Sequence, residues 1–213
     1  MGGWFTRACH HAISVYMVAL KHHQSSTIED IMALPEDTKA ELIDGEIFIQ
    51  DAALAGHSYV GTLLASDLVV YFKGKKKKAP AGEDSDSWRI ISEAWTQYDD
   101  FNVFIHDIAG FSRKDLPQLP TQGPITVKPL WVCEILSPSN WRNDTQRKRV
   151  ILEKYRVPYY WLVDPDRKAI QVFEMLGNAD KYQFAYAVEA VDGVVKLPPF
   201  TDLELDLREV FEL

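Results

Sequence analysis

The sequence contains little cysteine and no apolar run long enough for a membrane. Its 213 residues include only two cysteines, Cys9 and Cys133, which form no CxxC pair. Two isolated thiols give neither a disulfide framework nor the usual zinc-ligand spacing, so we expect a reducing compartment. The apolar run from Ala12 to Leu20 is too short to cross a bilayer and lacks a clear small-residue cleavage site. These absences predict a cytoplasmic protein with no membrane partner.

The sequence also lacks an excess of positive charge. Its formal net charge of −8 argues against a surface coated for non-specific nucleic-acid binding, although a single basic face is compatible with this value. The run Lys75, Lys76, Lys77 and Lys78 is a weak candidate for phosphate contacts. A solvated loop is the alternative, because acidic residues follow closely. No glycine-rich phosphate loop and no GxSxG are present, so neither a nucleotide cofactor nor a serine hydrolase is supported.

Length and composition predict one domain. Hydrophobic residues make up 46% of the chain and charged residues 25%, which is typical of a globular protein with a sizeable core. Residues 1–25 lack a regular pattern, so we expect them to be an extension outside the fold, with residues 1–16 upstream of the native start. Residues 26–213 are then the single domain.

Helix and strand patterns alternate along that domain. "STIEDIMALP" predicts a short helix, and Asp44-Gly45 between two apolar arms predicts a hairpin. Apolar residues at three-and-four spacing predict a helix within residues 57–72, followed by an exposed loop that carries the lysine run. Two strands around "DD" and an antiparallel series near the C-terminus are also expected. A strand, a helix and a strand between residues 130 and 164 predict a parallel crossover, so the fold class is α/β with a mixed sheet.

Acidic residues lie within two of the predicted strands. Alternation in residues 130–136 makes both faces of that strand apolar, so Glu134 should be buried in a central strand. Asp107 lies in a similar run, on the opposite face from Phe104, His106 and Ile108. An ionised carboxylate in such a place requires a cation, a donor network or a metal ion.

Lys148 is a third charged residue in an apolar setting. On a helical wheel it shares a face with Trp141, Leu152 and Tyr155, so its ammonium should point towards the core. Two carboxylates and a lysine suit metal-dependent phosphodiester hydrolysis, in which the carboxylates hold a divalent ion and the lysine orients the nucleophile. The alternative is purely structural: Asp144 and Lys148 are spaced for a helix salt bridge, and the other acids can cap turns.

Five separated segments resemble one known family. The segments "ELIDGE" (41–46), "HDIAGFSRKDLP" (106–117), "VCEILSPS" (132–139), "DTQRK" (144–148) and "VPYYWLVDP" (157–165) are similar, in order, to the motifs of the Uma2 family (DUF820). These proteins are restriction endonucleases of the PD-(D/E)XK superfamily. The resemblance runs from about residue 27 to the C-terminus. It implies a restriction-endonuclease-like mixed sheet flanked by helices and a metal-dependent endonuclease that hydrolyses DNA phosphodiester bonds.

The resemblance also implies roles for individual residues. Asp107 and Glu134 match the metal ligands, for Mg²⁺ with Mn²⁺ as a substitute, and Lys148 matches a catalytic lysine that lies in the following helix. Glu41 and His57 match positions that support the site or hold a second metal ion. A helix cap or a solvent-exposed position is an equal alternative for His57.

Three positions depart from the motifs: Leu136 stands where the superfamily has its lysine, Leu152 stands where the family commonly has tyrosine, and His106 stands where the superfamily has proline. Strand alternation predicts that His106 faces away from Asp107, so we expect the site to tolerate this change.

DNA is the expected partner, and a homodimer is expected because two antiparallel strands require two sites related by a two-fold axis. The alternative from another class is a catalytically silent protein that uses the same scaffold to bind nucleic acid or a protein. A third reading is structural ion pairing alone, in which Glu134→Gln leaves stability unchanged or improved.

Overall fold

The computed structural model describes residues 25–78 and 88–212, and the side chains of residues 75–78 are not described. The predicted N-terminal extension therefore lies almost entirely outside the described residues. None of the described helices is both long and apolar enough to cross a membrane. The helices and strands are α1 (Ile28–Met32), β1 (Ala40–Ile43), β2 (Glu46–Ile49), α2 (Ala55–Lys78), β3 (Trp88–Asp99), β4 (Asn102–Ser112), β5 (Trp131–Ile135), a π-helical segment (Asn143–Lys148), α3 (Arg149–Lys154), β6 (Tyr159–Asp164), β7 (Ala169–Glu174), β8 (Gln183–Glu189), a 3₁₀ turn (Ala190–Asp192), β9 (Val194–Val195), β10 (Leu205–Asp206) and α4 (Leu207–Val210).

The fold is built on a mixed eight-stranded sheet, as predicted. Seven strands follow the order β2-β1-β4-β5-β6-β7-β8, and β3 pairs with β4 outside this path. Strands β5 and β6 are parallel, while the other pairs in the sheet are antiparallel. The predicted crossover between residues 130 and 164 is thus confirmed. The segment "VVKLP" differs from the prediction, because β9 leaves the main sheet and pairs with β10.

The local signals that fixed the N-terminal elements are confirmed. Strands β1 and β2 form the predicted hairpin, and Asp44 and Gly45 adopt φ values of 52° and 75° at its turn. Both values lie in the left-handed region, which Gly and Asp tolerate best in two-residue hairpin turns. Thr27 begins α1 with a capping box that includes Asp30.

The lysine run differs from its prediction. The backbone of residues 75–78 is the final turn of α2 instead of a loop. Lysine is a good helix former, and cationic residues are favoured at the negative end of the helix dipole. Phosphate contact by Lys75 to Lys78 stays a prediction.

Two apolar layers cover the two faces of the sheet. On the α2 side, Trp131, Trp161 and Phe200 pack edge to face with ring centroids 5.0–5.7 Å apart, and we call this layer the tryptophan core. The layer on the other face is the α3-side core, which includes Phe104, Phe111, Val132, Leu152 and Tyr160.

The paired strands β3 and β4 change faces midway. Ile90 packs against the tryptophan core, whereas Ala94, four residues later, packs in the α3-side core. Glu93 lies between them with φ of 49°, a left-handed conformation that interrupts the alternation of side chains. On β4, Ile108 and Phe104 are divided between the two layers in the same way. The prediction that Phe104 and Ile108 share a face was therefore wrong.

Candidate active site

The candidate site lies where β4 changes neighbours. One edge of β4 pairs with β1 at Val103 and with β5 at Ile108 to Gly110. Between these two contacts the ends of β1 and β5 diverge, and we call the gap beside residues 104–107 the fork. On this edge of β4, the N–H groups that point into the fork have no neighbouring strand to accept their hydrogen bonds, and a buried N–H without an acceptor is costly.

Carboxylates fill the fork and accept those hydrogen bonds. Oε1 of Glu41 accepts from the N–H of Ile105 at 2.8 Å, and Oε2 of Glu134 accepts from the N–H of Asp107 at 3.2 Å. In return, Oδ2 of Asp107 accepts from the N–H of Ile135 at 2.7 Å. Two reciprocal bonds between side chain and backbone thus fix Asp107 and Glu134 beside one another. This arrangement explains why a strand with two apolar faces contains Glu134, which is only 1% exposed.

Lys148 lies on the α3 side of the fork and contacts three acids. Its Nζ is 2.8 Å from Oε1 of Glu41, 2.9 Å from Oδ1 of Asp144 and 3.4 Å from Oε1 of Glu134. All four side chains are buried, so the predicted inward direction of Lys148 is confirmed. Asp144 and Lys148 also form the ion pair expected from their spacing of four residues. The fork is therefore a buried cluster with more acids than cations.

The helix that carries Lys148 begins in an unusual conformation. Residues Asn143–Lys148 form a π-helical segment that continues into α3. The hydroxyl of Tyr160 donates to the carbonyl of Asp144 at 2.8 Å, which satisfies a backbone acceptor within this segment. Because a π turn changes the angle between successive residues, a wheel drawn for an α-helix misplaces Trp141, which is 48% exposed instead of packed.

His106 is part of the cluster, which the sequence argument missed. Its Nδ1 is 2.6 Å from Oε1 of Glu134, and its Nε2 is 2.8 Å from the hydroxyl of Tyr98. The ring faces the α3-side core beside Phe104, while the carboxylate of Asp107 bonds to Ile135. His106 does point away from Asp107, as predicted. Its ring nevertheless reaches Glu134, because the fork directs the side chain of Glu134 to the same layer as His106. Tolerance of the change at this position stays a prediction.

Asp107 and His57 form the accessible side of the fork. Nε2 of His57 is 3.2 Å from Oδ2 of Asp107, and their side chains are 16% and 26% exposed. Gly61 lies one turn after His57 in α2, and a Cβ there would meet Cδ1 of Ile135 at 2.9 Å. The missing side chain allows α2 to lie close to β5, which brings His57 to Asp107. Of the two readings left open by the sequence, the structure favours proximity to the site.

The electrostatics of the cluster follow from burial. Burial raises the pKa of Glu134 to about 8, in spite of the opposing effect of Lys148. Burial likewise raises the pKa of Asp144 well above its ordinary range. Burial alone would lower the pKa of Lys148, but Asp144, Glu134 and Glu41 together raise it well above its usual value. The lysine is therefore charged, and burial favours the protonated forms of Glu134 and Asp144.

The pKa values of His106 and His57 are shifted in opposite directions. Burial, together with the Lys148 ammonium, lowers the pKa of His106 to about 3, so this ring is neutral. The hydrogen bond to Asp107 raises the pKa of His57, so this ring gains positive charge more readily than a free histidine. The fork thus has a closed side that contains Glu134 and Lys148. On its accessible side, His57 tends to carry a positive charge.

The mixed eight-stranded sheet flanked by helices is a restriction-endonuclease-like fold. Residues 28–208 match the Uma2 family model, which is described as "putative restriction endonuclease". The chain belongs to the Uma2 family.

A solved structure supports the fold. The crystal structure of "a putative nuclease belonging to DUF820" from Anabaena variabilis is 22% identical to this chain, with a TM-score of 0.67. The match covers 87% of this chain and 97% of that protein. At this identity the likeness shows the fold alone. Curated proteins contain no match to this chain.

Proposed function

We propose that the protein is a divalent-metal-dependent endonuclease that hydrolyses DNA phosphodiester bonds, with Mg²⁺ as its natural ion and Mn²⁺ as a substitute. The observation that carries this proposal is the pair of carboxylates, Asp107 and Glu134, held together in the fork with the Lys148 ammonium beside them. Membership of a family described as restriction endonucleases supports the same chemistry.

The donor set fits a hard divalent ion. Mg²⁺ keeps several water ligands and is usually held by one or two carboxylates, which Asp107 and Glu134 would supply. Within residues 25–78 and 88–212, no group of three or more His, Cys, Asp and Glu side chains is arranged as a metal site, so water would complete the ligand shell. A bound ion supplies a water of lowered pKa and stabilises charge on phosphate oxygens. Asp107 is the more exposed of the two acids, so the ion and the phosphate would approach past Asp107 and His57.

Lys148 holds a positive charge at the closed side of the fork. Glu41 and Asp144 fix its ammonium 3.4 Å from Oε1 of Glu134, and burial reduces the screening of this charge by bulk solvent. A charge fixed before the substrate binds needs no reorganisation during the reaction, which is the main source of electrostatic stabilisation in enzymes. We assign Lys148 to orienting the attacking water, and Glu41 to holding Lys148 while it also satisfies the backbone of β4.

The substrate and its surroundings belong to the same proposal. Lys75 to Lys78 would contact the DNA phosphates, and cutting both strands of a duplex would require two copies related by a two-fold axis. A cytoplasmic location agrees with the free, buried Cys133.

The test is cleavage of supercoiled and single-stranded DNA with Mg²⁺ or Mn²⁺ by the wild type, Glu134→Gln and Lys148→Ala. Lys154→Ala is the matched control, because Lys154 lies six residues after Lys148 but is exposed and pairs only at the surface with Asp99. We expect metal-dependent nicking by the wild type and the control, and its loss in both site variants. In parallel, Mn²⁺ should raise the melting temperature of the wild type but not that of Asp107→Asn.

Retained cleavage in Glu134→Gln or Lys148→Ala would refute the assigned roles. Absence of both cleavage and metal binding in the wild type would instead favour a silent scaffold that binds nucleic acid or a protein. Metal binding without cleavage would refute DNA as the substrate.

A further inference from the structure

His106 is the feature of the cluster that the proposed nuclease chemistry leaves unexplained. It is a fully buried imidazole in a position where the superfamily motif has proline, a residue without a side-chain donor. Both of its nitrogens have partners within hydrogen-bond distance, at 2.6 Å to Glu134 and 2.8 Å to Tyr98. A buried polar ring is costly unless such partners are present, so the chain Tyr98, His106 and Glu134 requires an explanation of its own.

We propose that His106 is a positioning residue for Glu134, held in one tautomer by Tyr98. The inference rests on the proposed function, because it treats Glu134 as a metal ligand.

The direction of the hydrogen bonds follows from the chemistry of a ligand. A carboxylate that holds a metal ion is ionised and only accepts hydrogen bonds, so His106 must donate from Nδ1 to Oε1 of Glu134. Nε2 of a neutral ring is then an acceptor, and the Tyr98 hydroxyl, a donor, satisfies it. Histidine that ligates a metal is oriented by a carboxylate in the same way, and here the order of the two groups is reversed.

Both oxygens of Glu134 are thereby fixed. Oε1 accepts from His106, and Oε2 accepts from the N–H of Asp107. Lys148, at 3.4 Å, is too distant to fix the carboxylate plane by itself. Oε1 also accepts a long hydrogen bond from Lys148, so the lone pair that remains on Oε2 can face a metal ion.

The surroundings support an orienting role. The rings of Tyr98 and Phe104 contact the imidazole edge to face, with centroids 5.9 Å and 5.7 Å from it, so the ring has little freedom to rotate. Tyr98 also lies 5.4 Å from the ring of Tyr155, whose hydroxyl bonds to Asp99 and not to the cluster. Tyr155 therefore provides a control that shares the aromatic packing but not the chain of hydrogen bonds.

The experiment measures the Mn²⁺ dissociation constant of the folded protein by isothermal titration in four variants. We expect His106→Leu to weaken Mn²⁺ binding by about 10–100-fold, the usual effect of losing a residue that orients a metal ligand. His106→Gln, which can still donate to Glu134, should recover most of this loss. Tyr98→Phe should weaken binding by about tenfold or less. Tyr155→Phe should leave the constant unchanged.

Kinetics separate positioning from a structural role. If His106 positions Glu134, saturating Mn²⁺ restores kcat in His106→Leu, because only the affinity for the ion has changed. A merely structural histidine would lower the melting temperature of His106→Leu while the Mn²⁺ affinity of the folded protein stays at the wild-type value. That second result would overturn the proposal.

A readout without metal keeps the two proposals distinguishable. Nitrogen NMR of ¹⁵N-histidine-labelled protein at alkaline pH, which favours the ionised form of Glu134, should show His106 as the Nδ1–H tautomer, with a shift in Tyr98→Phe. An Nε2–H tautomer would overturn the positioning role even if the enzyme cuts DNA. A wild type that neither binds Mn²⁺ nor cuts DNA would refute the nuclease proposal. The tautomer of His106 would then be the remaining test of the hydrogen-bond chain from Tyr98 through His106 to Glu134.

Discussion

The two faces of β5 differ in what they contribute to the protein. One face carries Trp131 and Ile135 into the tryptophan core, where burial of apolar area stabilises the fold. The other face carries Glu134 into the fork, where burial raises its pKa and opposes its ionisation. A single strand of five residues therefore combines a stabilising face with a costly one. The costly face is where a functional site is expected, because perturbed pKa values concentrate at such sites.

The largest expected effect concerns the tryptophan core, to which Trp161 of the neighbouring strand β6 contributes beside Trp131. Trp161→Ala should lower the free energy of unfolding by about 3–5 kcal/mol, because a large buried side chain leaves a cavity. It also removes the donor to the carbonyl of Pro198, a bond of 2.8 Å. Chemical denaturation measures this loss, and Trp161→Phe should cost clearly less. A loss of less than about 1 kcal/mol in Trp161→Ala would show that the tryptophan core is not the main source of stability.

Glu134→Gln tests the face of β5 that carries Glu134, through the pH dependence of the stability of the protein. The folded pKa of Glu134, about 8, lies above the ordinary value of 4.5 for an unfolded glutamate. Between these values the folded protein holds the proton more tightly than the unfolded chain, so the stability of the wild type falls as pH rises from about 4.5 to about 8. The slope from one such group is at most about 1.4 kcal/mol per pH unit.

Denaturation curves across this range should show a smaller slope in Glu134→Gln than in the wild type. The glutamine protein should equal or exceed the wild type in stability at pH 8, since an amide avoids the cost of ionisation. An unchanged slope would place the buried proton on another acid of the cluster, with Asp144 as the alternative.

His57 should give a smaller effect of opposite sign. Its folded pKa is raised above 6.5 by Asp107, so its contribution is fully present below pH 6.5 and disappears as pH rises through the folded value. We expect His57→Gln to lose about 1 kcal/mol or less at pH 5.5 and to match the wild type at pH 9. Equal losses at both pH values would mean that His57 contributes by packing alone.

The smallest effect is expected from an exposed ion pair. Nζ of Lys39 is 2.6 Å from Oε1 of Glu93, closer than any contact of Lys148, yet both side chains are more than half exposed. Solvent screening predicts that Lys39→Ala changes stability by less than about 0.5 kcal/mol. A comparison of Lys39→Ala with Lys148→Ala separates the effect of burial on the stability of an ion pair from the effect of the distance between its charges. A loss above 1 kcal/mol in Lys39→Ala would weaken the contrast between exposed and buried pairs.

Local signals in the sequence predicted much of the fold. The Asp44-Gly45 turn, the two strands around residues 99–102 and the crossover after β5 each depend on residues close in sequence, and all are present in the structure. The burial of Glu134 and Lys148 was also predictable, because a charged residue in an apolar pattern is informative by itself.

The features that the sequence missed depend on distant partners or on backbone conformation. The left-handed backbone of Glu93 carries no sequence signal, since glutamate gives no hint of positive φ, and it determines which layer receives the side chains of β3 and β4. The contact of His106 with Glu134 requires the divergence of β1 from β5, which no local pattern encodes. A histidine within an apolar strand, read as a buried group in need of partners, was the available signal.

The π-helical segment before α3 has an evolutionary consequence. The angular position of Asp144 and Lys148 is set within this segment, whereas that of Leu152 is set by the α-helical turns that follow. One stretch of chain can therefore adjust the angular position of its charged residues separately from that of its packing residues. Substitutions that repack α3 against the sheet need not rotate the lysine out of the fork. A lineage can exchange the apolar residues of this helix and keep the charged ones in place.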